Sequence, residues 1–284
     1  MLKQRLKRIY FELIKAIFSA NAPKLLIIGA QKCGTTSLHF YLTQHPSFGK
    51  GFRKEAHFFN REIYFGKTLD EYQSEFFGKS SKIYIDATPA YLYQPDTAKN
   101  IYDAYPDIKM IVLLRDPVKR TYSAWNHSRL RFESEGYVKT KKNMQRRKGD
   151  QLYEKFFQDR KIFPTFREAI EIELELMKDN AAYEPALLRR SLYLNQLEEY
   201  WKYFDKDQIK IIGFKEFVSD VKGTLKNIEE FVDVQPHHWN NLKDEPRNSG
   251  GYVEPIKDED KVFLENYFRA STSKLFEVIG KVDW

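Results

Sequence analysis

A loop rich in glycine and hydroxyl residues, with a single lysine, follows an apolar run near the start of the chain. The apolar run is LLIIG at residues 25–29, and the loop reads AQKCGTTS at residues 30–37. A buried strand that ends in such a loop and continues as a helix binds anions through main-chain N–H groups. The loop therefore predicts an anion site, with a tight turn carrying a solvated lysine as the alternative.

The order of residues in this loop differs from that of the common nucleotide-binding loop. In the common motif the lysine follows the last glycine, and a serine or threonine then holds magnesium. Here Lys32 precedes Gly34. A lysine in this place reaches a different oxygen of the bound group, and the pattern specifies no magnesium ligand. We therefore expect transfer chemistry without a metal.

A second strand, loop and helix are predicted at residues 109–127, KMIVLLRDPVKRTYSAWNH. Residues 110–114 fit a central strand, and Asp116 and Pro117 are suited to cap and open a helix. Arg115 then lies at the carboxyl end of a strand, where open α/β sheets bind ligands, and its planar guanidinium suits a phosphate. An ion pair beside the helix start is the alternative.

Candidate general bases lie in a third segment, GFRKEAHFF at residues 51–59. Glu55 and His57 are two residues apart, so an extended backbone would turn both side chains to one face. A glutamate can act as a base if partial burial raises its pKa or if the acceptor is activated as it docks, and imidazole chemistry suits neutral pH. Arg53 and Lys54 either contact an anionic acceptor or face water.

Apolar periodicity predicts the elements that position these residues. Strands are expected at residues 25–28, 82–86, 109–114 and 210–214, and helices at residues 36–44, 95–104, 117–131, 164–179, 191–204 and 220–232. Strands that alternate with helices predict a parallel sheet. The fold class is therefore a single α/β domain with a central parallel sheet flanked by helices.

The composition limits the classes of binding partner but does not identify a single one. The chain has 284 residues, 42% of them hydrophobic, which is enough for one substantial core. Its net charge of +7 favours anionic ligands, sulfated or phosphorylated polymers, or an anionic membrane. The single cysteine, Cys33, excludes an internal disulfide framework and suggests a reducing compartment. We interpret Cys33 as a small loop residue, with a reactive thiol as the lesser alternative.

Two basic segments are distinguished, one before and one within the predicted domain of residues 23–284. Residues 1–20 carry leucine and isoleucine at helical spacing, and predict a basic amphipathic helix within residues 1–22. This helix either docks on an anionic membrane or packs against protein. Residues 129–150 predict an exposed basic insertion, which either folds over the acceptor or is an ordinary surface loop.

The first two blocks resemble motifs of sulfotransferases that use 3′-phosphoadenosine 5′-phosphosulfate (PAPS). The segment LLIIGAQKCGTTSLHFYLTQHP is similar to their phosphosulfate loop, and KMIVLLRDPVKRTYSAWNH to their 3′-phosphate motif, above all in the carbohydrate branch typified by heparan sulfate sulfotransferases. The resemblance implies a P-loop-like fold, PAPS as donor, and the bisphosphate PAP as product. It also implies donor contacts by Gln31, Lys32, Cys33, Gly34, Thr35, Thr36 and Ser37, with Arg115 and Ser123 on the 3′-phosphate.

The same resemblance assigns the base. The KEAHFF segment is similar to the KEPHFF-type segment of the carbohydrate sulfotransferases, whose catalytic glutamate matches Glu55. His57 then orients Glu55 or replaces it as the base. Residues 83–93, IYIDATPAYLY, resemble the family's Glu-Lys-Thr/Ser-Pro-x-Tyr segment, but Ala87 stands at the lysine position, so substrate preference cannot be carried over. Asp86 keeps a carboxylate there, as an acceptor contact or a helix cap.

Similarity continues toward the C-terminus. The segment that starts RRSLYLNQ at Arg189 is similar to the family's Arg-Gly-x-Tyr helix, and Tyr193 matches the tyrosine, which makes it a donor-site candidate. Residues 246–251, PRNSGG, lie where relatives place a loop that closes on the donor. Arg247, Ser249 and Gly250 are therefore donor-site candidates, with an ordinary glycine turn as the alternative.

The expected reaction is in-line transfer of a sulfuryl group from PAPS to a hydroxyl, or less readily an amine, of a carbohydrate or glycoconjugate. Lys32 would neutralise the leaving oxygen. The sequence shows no apolar stretch of membrane-spanning length. We expect a cytoplasmic enzyme of bacterial type, with at most peripheral contact with the inner membrane face and no nucleic acid partner. The alternatives are a magnesium-dependent kinase and a non-catalytic basic module.

Overall fold

The computed structural model describes residues 20–134, 150–157, 160–179, 183–243 and 255–284. These residues form two compact units. The described part of the first unit is residues 20–114, 198–243 and 283–284, and that of the second is residues 115–134, 150–157, 160–179, 183–197 and 255–282.

A five-stranded parallel sheet forms the centre of the first unit. Its strands are β1 (Pro23–Gly29), β2 (Phe48–Lys50), β3 (Ile83–Ala87), β4 (Lys109–Leu114) and β5 (Ile209–Gly213). The spatial order is β2-β3-β1-β4-β5, and all neighbouring strands run parallel. From β1 the chain goes to the edge strand β2, returns to β3 beside β1, and then crosses to β4 and β5 on the other side of β1. The loop after β1 lies at this reversal of strand order, where open α/β sheets bind their ligands.

Strands β1 and β4 each carry a continuous apolar run because both faces of the sheet are covered there. Leu25 to Ile28 in β1 and Met110 to Leu114 in β4 have no solvent exposure. A strand buried on both faces shows a continuous apolar run in the sequence instead of an alternating one. These runs fix the register of the sheet and so the position of the loops that follow.

Helices connect the strands and build the second unit. Among the described residues the α-helices are α1 (Thr35–Leu42), α2 (Leu69–Gln73), α3 (Thr97–Ala104), α4 (Pro117–Ser134), α5 (Gln151–Phe157), α6 (Phe166–Leu176), α7 (Tyr193–Trp201), α8 (Phe214–Ser219), α9 (Val221–Val232) and α10 (Asp258–Ile279). Single 3-10 turns occur at Glu62–Phe65, Arg189–Ser191, Lys206–Gln208 and Trp239–Asn241. Helix α1 packs on β1 and β3, and α8 packs on β5.

An aromatic cluster forms the core of the second unit. Trp125 of α4 stacks on Tyr122 with ring centroids 5.4 Å apart and meets the edge of Phe166 at 5.5 Å. The indole N–H of Trp125 donates to the Pro164 carbonyl at 2.9 Å, so the buried polar atom is satisfied. This cluster fixes α4, which carries the predicted 3′-phosphate motif.

The predicted fold class, a central parallel sheet flanked by helices, is confirmed. All ten predicted strands and helices are present, with ends within three residues of those expected. The prediction of an insertion from residue 129 is wrong at its start, because α4 continues to Ser134. Residues 135–149 of that insertion and residues 1–19 of the predicted N-terminal helix lie outside the described residues. Within the described part of the chain, no helix has the length and apolar character needed to cross a bilayer.

Candidate active site

The loop between β1 and α1 turns through two residues in the left-handed backbone region. Lys32 has a φ of 70° and Gly34 a φ of 88°. Gly34 is the N-cap residue of α1, so no cap side chain competes for the N–H groups of the first turn. A Cβ atom at Gly34 would meet the Phe214 ring at 3.1 Å, and its φ is strained for any other residue. The local geometry therefore requires glycine and leaves the first-turn N–H groups available to an anion.

Main-chain bonds hold this loop against the sheet. The Ala30 N–H donates to the Leu113 carbonyl of β4 at 2.9 Å, and the Cys33 N–H donates to the Ala30 carbonyl at 3.2 Å. Cys33 is fully buried, and its Sγ lies 3.8 Å from the Gln31 carbonyl. Cys33 therefore shapes the loop from inside, which differs from the donor contact predicted for it.

The side chains around the start of α1 differ in exposure. Thr35 is buried, whereas Gln31, Lys32, Thr36 and Ser37 are half-buried. The half-buried residues can reach a ligand with their side chains. Thr35 is better placed to contribute its main-chain N–H.

The segment after β2 brings the predicted bases together in a turn. Glu55 has a φ of 62° and His57 a φ of 55°, so the expected extended backbone is wrong. The two side chains nevertheless meet, with His57 Nε2 3.7 Å from Glu55 Oε2. Lys54 Nζ donates to Glu55 Oε1 at 2.7 Å. On the far side of the imidazole, His57 Nδ1 lies 3.2 Å from Asn60 Oδ1, a contact that sequence reasoning did not identify.

The charges in this turn keep Glu55 ionised. Burial raises the pKa of Glu55, but the hydrogen bond to His57 and the charge and hydrogen bond of Lys54 outweigh it and lower the pKa to about 2. Of the two routes that the sequence leaves open for Glu55, a pKa raised by burial is not found, and activation of the acceptor as it docks stays a prediction. The carboxylate is present at neutral pH, but it is a weak base while Lys54 stays paired with it.

The positive charges of two lysines in and near this turn affect the pKa of His39 in α1. Burial lowers the pKa of His39 most, and the positive charges of Lys54 and Lys50 lower it further, to about 4. The imidazole is therefore neutral at pH 7. The charges of Lys54 and Lys50 therefore reach His39 on α1, the helix that begins in the anion loop. A single histidine on a helix gives no spacing signal, so the sequence did not indicate it.

Arg53 has a structural role, and its predicted acceptor contact stays a prediction. Its Nε and Nη2 donate to the two carboxylate oxygens of Glu75, each at 2.8 Å. Glu75 is buried and also pairs with Lys67. A buried carboxylate needs such partners, so the guanidinium fork of Arg53 is committed to Glu75.

Asp86 also differs from its prediction. It lies in β3 with 2% of its surface exposed, and its carboxylate accepts hydrogen bonds from Tyr72, Tyr91 and Thr88. Burial raises the pKa of Asp86 despite these three bonds. Asp86 therefore caps no helix and offers no exposed carboxylate to an acceptor.

The second unit carries the predicted 3′-phosphate residues. Asp116 Oδ1 accepts from the Lys119 N–H at 2.8 Å, which confirms the predicted cap of α4. Arg115 is half-buried just before α4, and Ser123 is buried on α4 with 8% exposure. The Tyr193 hydroxyl donates to the Arg115 carbonyl at 2.7 Å. Tyr193 is thus bound to the motif itself and fixes the main chain of Arg115.

Two buried charged residues brace this motif, and sequence reasoning missed both. The fully buried Arg120 donates from Nε to Ser191 Oγ at 2.6 Å and from Nη2 to the Leu187 carbonyl. Glu173 of α6 accepts from the main-chain N–H groups of Leu187, Leu188 and Arg189. The segment that leads to Tyr193 is therefore fixed by a cation from one side and an anion from the other. Arg247, Ser249 and Gly250 lie outside the described residues, and their donor contacts stay predictions.

A glycine-containing loop that opens a helix after a central strand of a parallel sheet defines a P-loop-like α/β protein. In this chain the loop also lies in the same unit as a carboxylate-imidazole pair. The chain belongs to the sulfotransferase domain family, whose model matches residues 22–248. The predicted family is therefore confirmed. PAPS is the sulfuryl donor of this family.

Three similar proteins illustrate the range of the family. The chain is 26% identical over 313 residues to the membrane-associated sulfotransferase kil1 of Dictyostelium discoideum, covering 91% of this chain and 65% of that protein. It is 26% identical over 215 residues to human heparan sulfate glucosamine 3-O-sulfotransferase 5, covering 75% and 54%. The crystal structure of a sulfotransferase from Alicyclobacillus acidocaldarius is similar with a TM-score of 0.67 and 27% identity, covering 93% and 97%. The chain thus spans about half to two thirds of the two curated relatives.

Proposed function

We propose that this protein transfers the sulfuryl group of PAPS to a hydroxyl, or less readily an amine, of a carbohydrate or glycoconjugate. The proposal is supported by two features of the first unit: a loop at the start of α1 that suits an anion, and a carboxylate-imidazole-ammonium turn whose Lys54 charge reaches His39 on the same helix. An anion site and a proton acceptor in the same unit are what group transfer from an anionic donor to a hydroxyl needs.

The loop residues fit a phosphate-bearing donor. The N–H groups of the first turn of α1 point away from the helix body, and any side chain at Gly34 would strain the turn and crowd Phe214. We assign these N–H groups, with Thr36 and Ser37, to the 5′-phosphate, and Arg115 and Ser123 to the 3′-phosphate. PAPS supplies the sulfuryl group when bound. Lys32 neutralises the negative charge that grows on the departing phosphate oxygen, which can contribute several kcal/mol.

Glu55 takes the proton of the acceptor in this proposal. Its carboxylate is ionised, partly exposed and held by Lys54 and His57. A carboxylate bound to an ammonium accepts a proton poorly, so the acceptor has to loosen the bond from Lys54 when it docks. An anionic group on the acceptor would do this by pairing with Lys54. His57 orients Glu55, with Asn60 holding the other ring nitrogen.

A binding assay followed by a transfer assay tests this function. Calorimetry compares PAP in EDTA with ATP plus magnesium, and we expect tight binding of PAP and weak binding of ATP. Transfer of radiolabelled sulfate from PAPS is then measured on N-acetyl heparosan, desulfated heparin and desulfated chondroitin. Label on a polysaccharide hydroxyl supports the proposal. Preference for ATP with magnesium, or transfer restricted to acceptors that are not carbohydrates, contradicts it.

A further inference from the structure

A buried cluster of one carboxylate and three hydroxyls lies behind the turn that carries Glu55 and His57. The Asp86 Oδ2 atom accepts from Tyr72 and from Tyr91, each at 2.8 Å, and Oδ1 accepts from Thr88 at 2.6 Å. All four residues are buried. A buried carboxylate is costly unless such donors satisfy it, and an apolar residue would avoid the cost altogether. Its presence therefore calls for a role beyond packing.

The cluster is connected to the main chain of the catalytic turn. The Tyr91 hydroxyl oxygen accepts from the Phe58 N–H at 3.1 Å while its proton is donated to Asp86. Phe58 is the residue after His57. The Phe59 carbonyl accepts from Asn100 of α3 at 2.9 Å. The first and third peptide groups after His57 are thus each fixed by a side chain from another element.

The turn needs such support because its backbone is strained. Glu55 and His57 both have positive φ, at 62° and 55°, although neither is glycine. Non-glycine residues in this region cost about 1 kcal/mol or more each, and persist where the surroundings hold them. Without a fixed Phe58, the turn can relax to negative φ and move both side chains away from each other.

The direction of the hydrogen bonds explains the choice of an aspartate. Because Asp86 is an acceptor, the Tyr91 O–H points at it, and a lone pair of the hydroxyl oxygen remains for the Phe58 N–H. A charged acceptor at the end of such a chain also strengthens the bond before it. An apolar residue at position 86 would leave the Tyr91 hydroxyl free to rotate.

We propose that Asp86, acting through the Tyr91 hydroxyl, is the positioning group that holds the Glu55–His57 turn in its catalytic conformation. Neither residue touches the donor or acceptor, so both are positioning residues. The catalytic part of this inference rests on the proposed function, and the structural part stands without it.

Two matched substitutions test the inference. Tyr91→Phe and Tyr72→Phe each remove one buried hydroxyl that donates to Asp86 Oδ2 and keep the ring, including the stack of Tyr72 on Phe58 at 4.5 Å. Only Tyr91→Phe also removes the hydrogen bond that the Phe58 N–H donates to the Tyr91 hydroxyl. We expect similar falls in melting temperature. Amide hydrogen exchange at Phe58 should accelerate at least about tenfold in Tyr91→Phe relative to Tyr72→Phe, because one variant alone loses that bond.

Steady-state kinetics provides the second readout. In Tyr91→Phe we expect kcat to fall by about tenfold or more while PAP affinity and acceptor KM stay near wild type, because misplaced catalytic groups lower the rate more than they weaken binding. Tyr72→Phe should keep most of its kcat. If Tyr91→Phe fails to fold, Asp86→Asn replaces it, with a smaller effect of the same kind expected in both readouts.

The possible outcomes distinguish the positioning role of Asp86 and Tyr91, its effect on catalysis, and the proposed function. Equal exchange at Phe58 in both tyrosine variants overturns the positioning role. Faster exchange in Tyr91→Phe with an unchanged kcat overturns its catalytic consequence. If the wild-type protein transfers no sulfate to any acceptor, the proposed function fails, and the exchange comparison still decides whether Asp86 and Tyr91 hold the turn.

Discussion

The ammonium of Lys54 lies 2.7 Å from Oε1 of the neighbouring residue, Glu55. The other carboxylate oxygen of Glu55 faces His57. Burial raises the pKa of Glu55, but the hydrogen bond to His57 and the charge and hydrogen bond of Lys54 outweigh it and lower the pKa to about 2. The carboxylate is therefore held in a stable, weakly basic form. A base kept in this form needs a partner for Lys54 before it can accept a proton, and that requirement links acceptor charge to catalysis.

Lys54→Met should raise the pKa of Glu55 from about 2 toward its ordinary value of 4.5, because the charge and the hydrogen bond of Lys54 both disappear. Carbon-detected NMR of the Glu55 carboxylate across pH 2 to 6 measures this. Lys50→Met is the control, because Lys50 is exposed at the end of β2 and does not contribute to the Glu55 shift. Equal titration of Glu55 in both variants would contradict the assignment.

His39 should make stability depend on pH. Its pKa is 6.5 in the unfolded chain and about 4 in the folded protein, chiefly because of burial. Between these values the unfolded chain binds a proton that the folded protein does not, so stability falls as pH drops from 6.5 to 4, by up to about 3 kcal/mol. We expect His39→Gln to flatten this part of the curve in urea titrations. The exposed His238→Gln should leave the slope unchanged.

Tyr193→Phe should weaken binding of PAP by about fivefold, because the lost hydrogen bond, worth about 1 kcal/mol, frees the main chain of Arg115. Calorimetry with PAP measures the change. Tyr267→Phe removes a half-buried hydroxyl of α10 that contacts Met177, and serves as the control. An equal effect of the two substitutions on PAP affinity would show that Tyr193 acts through general stability.

Glu173→Gln should lower the free energy of unfolding by about 2–4 kcal/mol, because a neutral amide replaces a buried carboxylate that accepts three main-chain N–H groups and faces the charge of Arg120. Denaturant unfolding measures the loss. Glu171→Gln on the exposed face of α6 is the matched control and should change stability by less than about 0.5 kcal/mol. A loss in Glu173→Gln no larger than in the control would contradict this role.

Local sequence signals were sufficient to predict the two strand-loop-helix blocks, β1 with α1 and β4 with α4. Strands β1 and β4 are continuous apolar runs, and the residues that start α1 and α4 follow them directly, so periodicity and turn chemistry specified both. The three-residue strand β2 was missed, because three residues are too few for a periodic signal. The predicted end of α4 at residue 131 falls three residues short of its end at Ser134, because the last residues carry no periodic apolar signal.

The site was harder to predict where its contacts join distant residues. The Arg53–Glu75 pair spans 22 positions, and the bond from Tyr72 to Asp86 spans 14. Such pairs leave no pattern in a local window, so Arg53 and Asp86 were assigned to the acceptor. The meeting of Glu55 and His57 was predicted for the wrong reason. Their positive φ values depend on neighbours that hold the main chain of Phe58 and Phe59. A glutamate or a histidine in the sequence does not by itself indicate a positive φ.

The most direct test of the account is the turnover of Glu55→Gln with radiolabelled PAPS and the acceptor that the wild-type protein modifies. The amide keeps the shape of the side chain and cannot take a proton at neutral pH. We predict that transfer of label falls by at least about a thousandfold, as for loss of a general base, while calorimetry shows PAP affinity within about twofold of wild type. Turnover close to wild type in this variant would contradict the assignment and move the base role to His57.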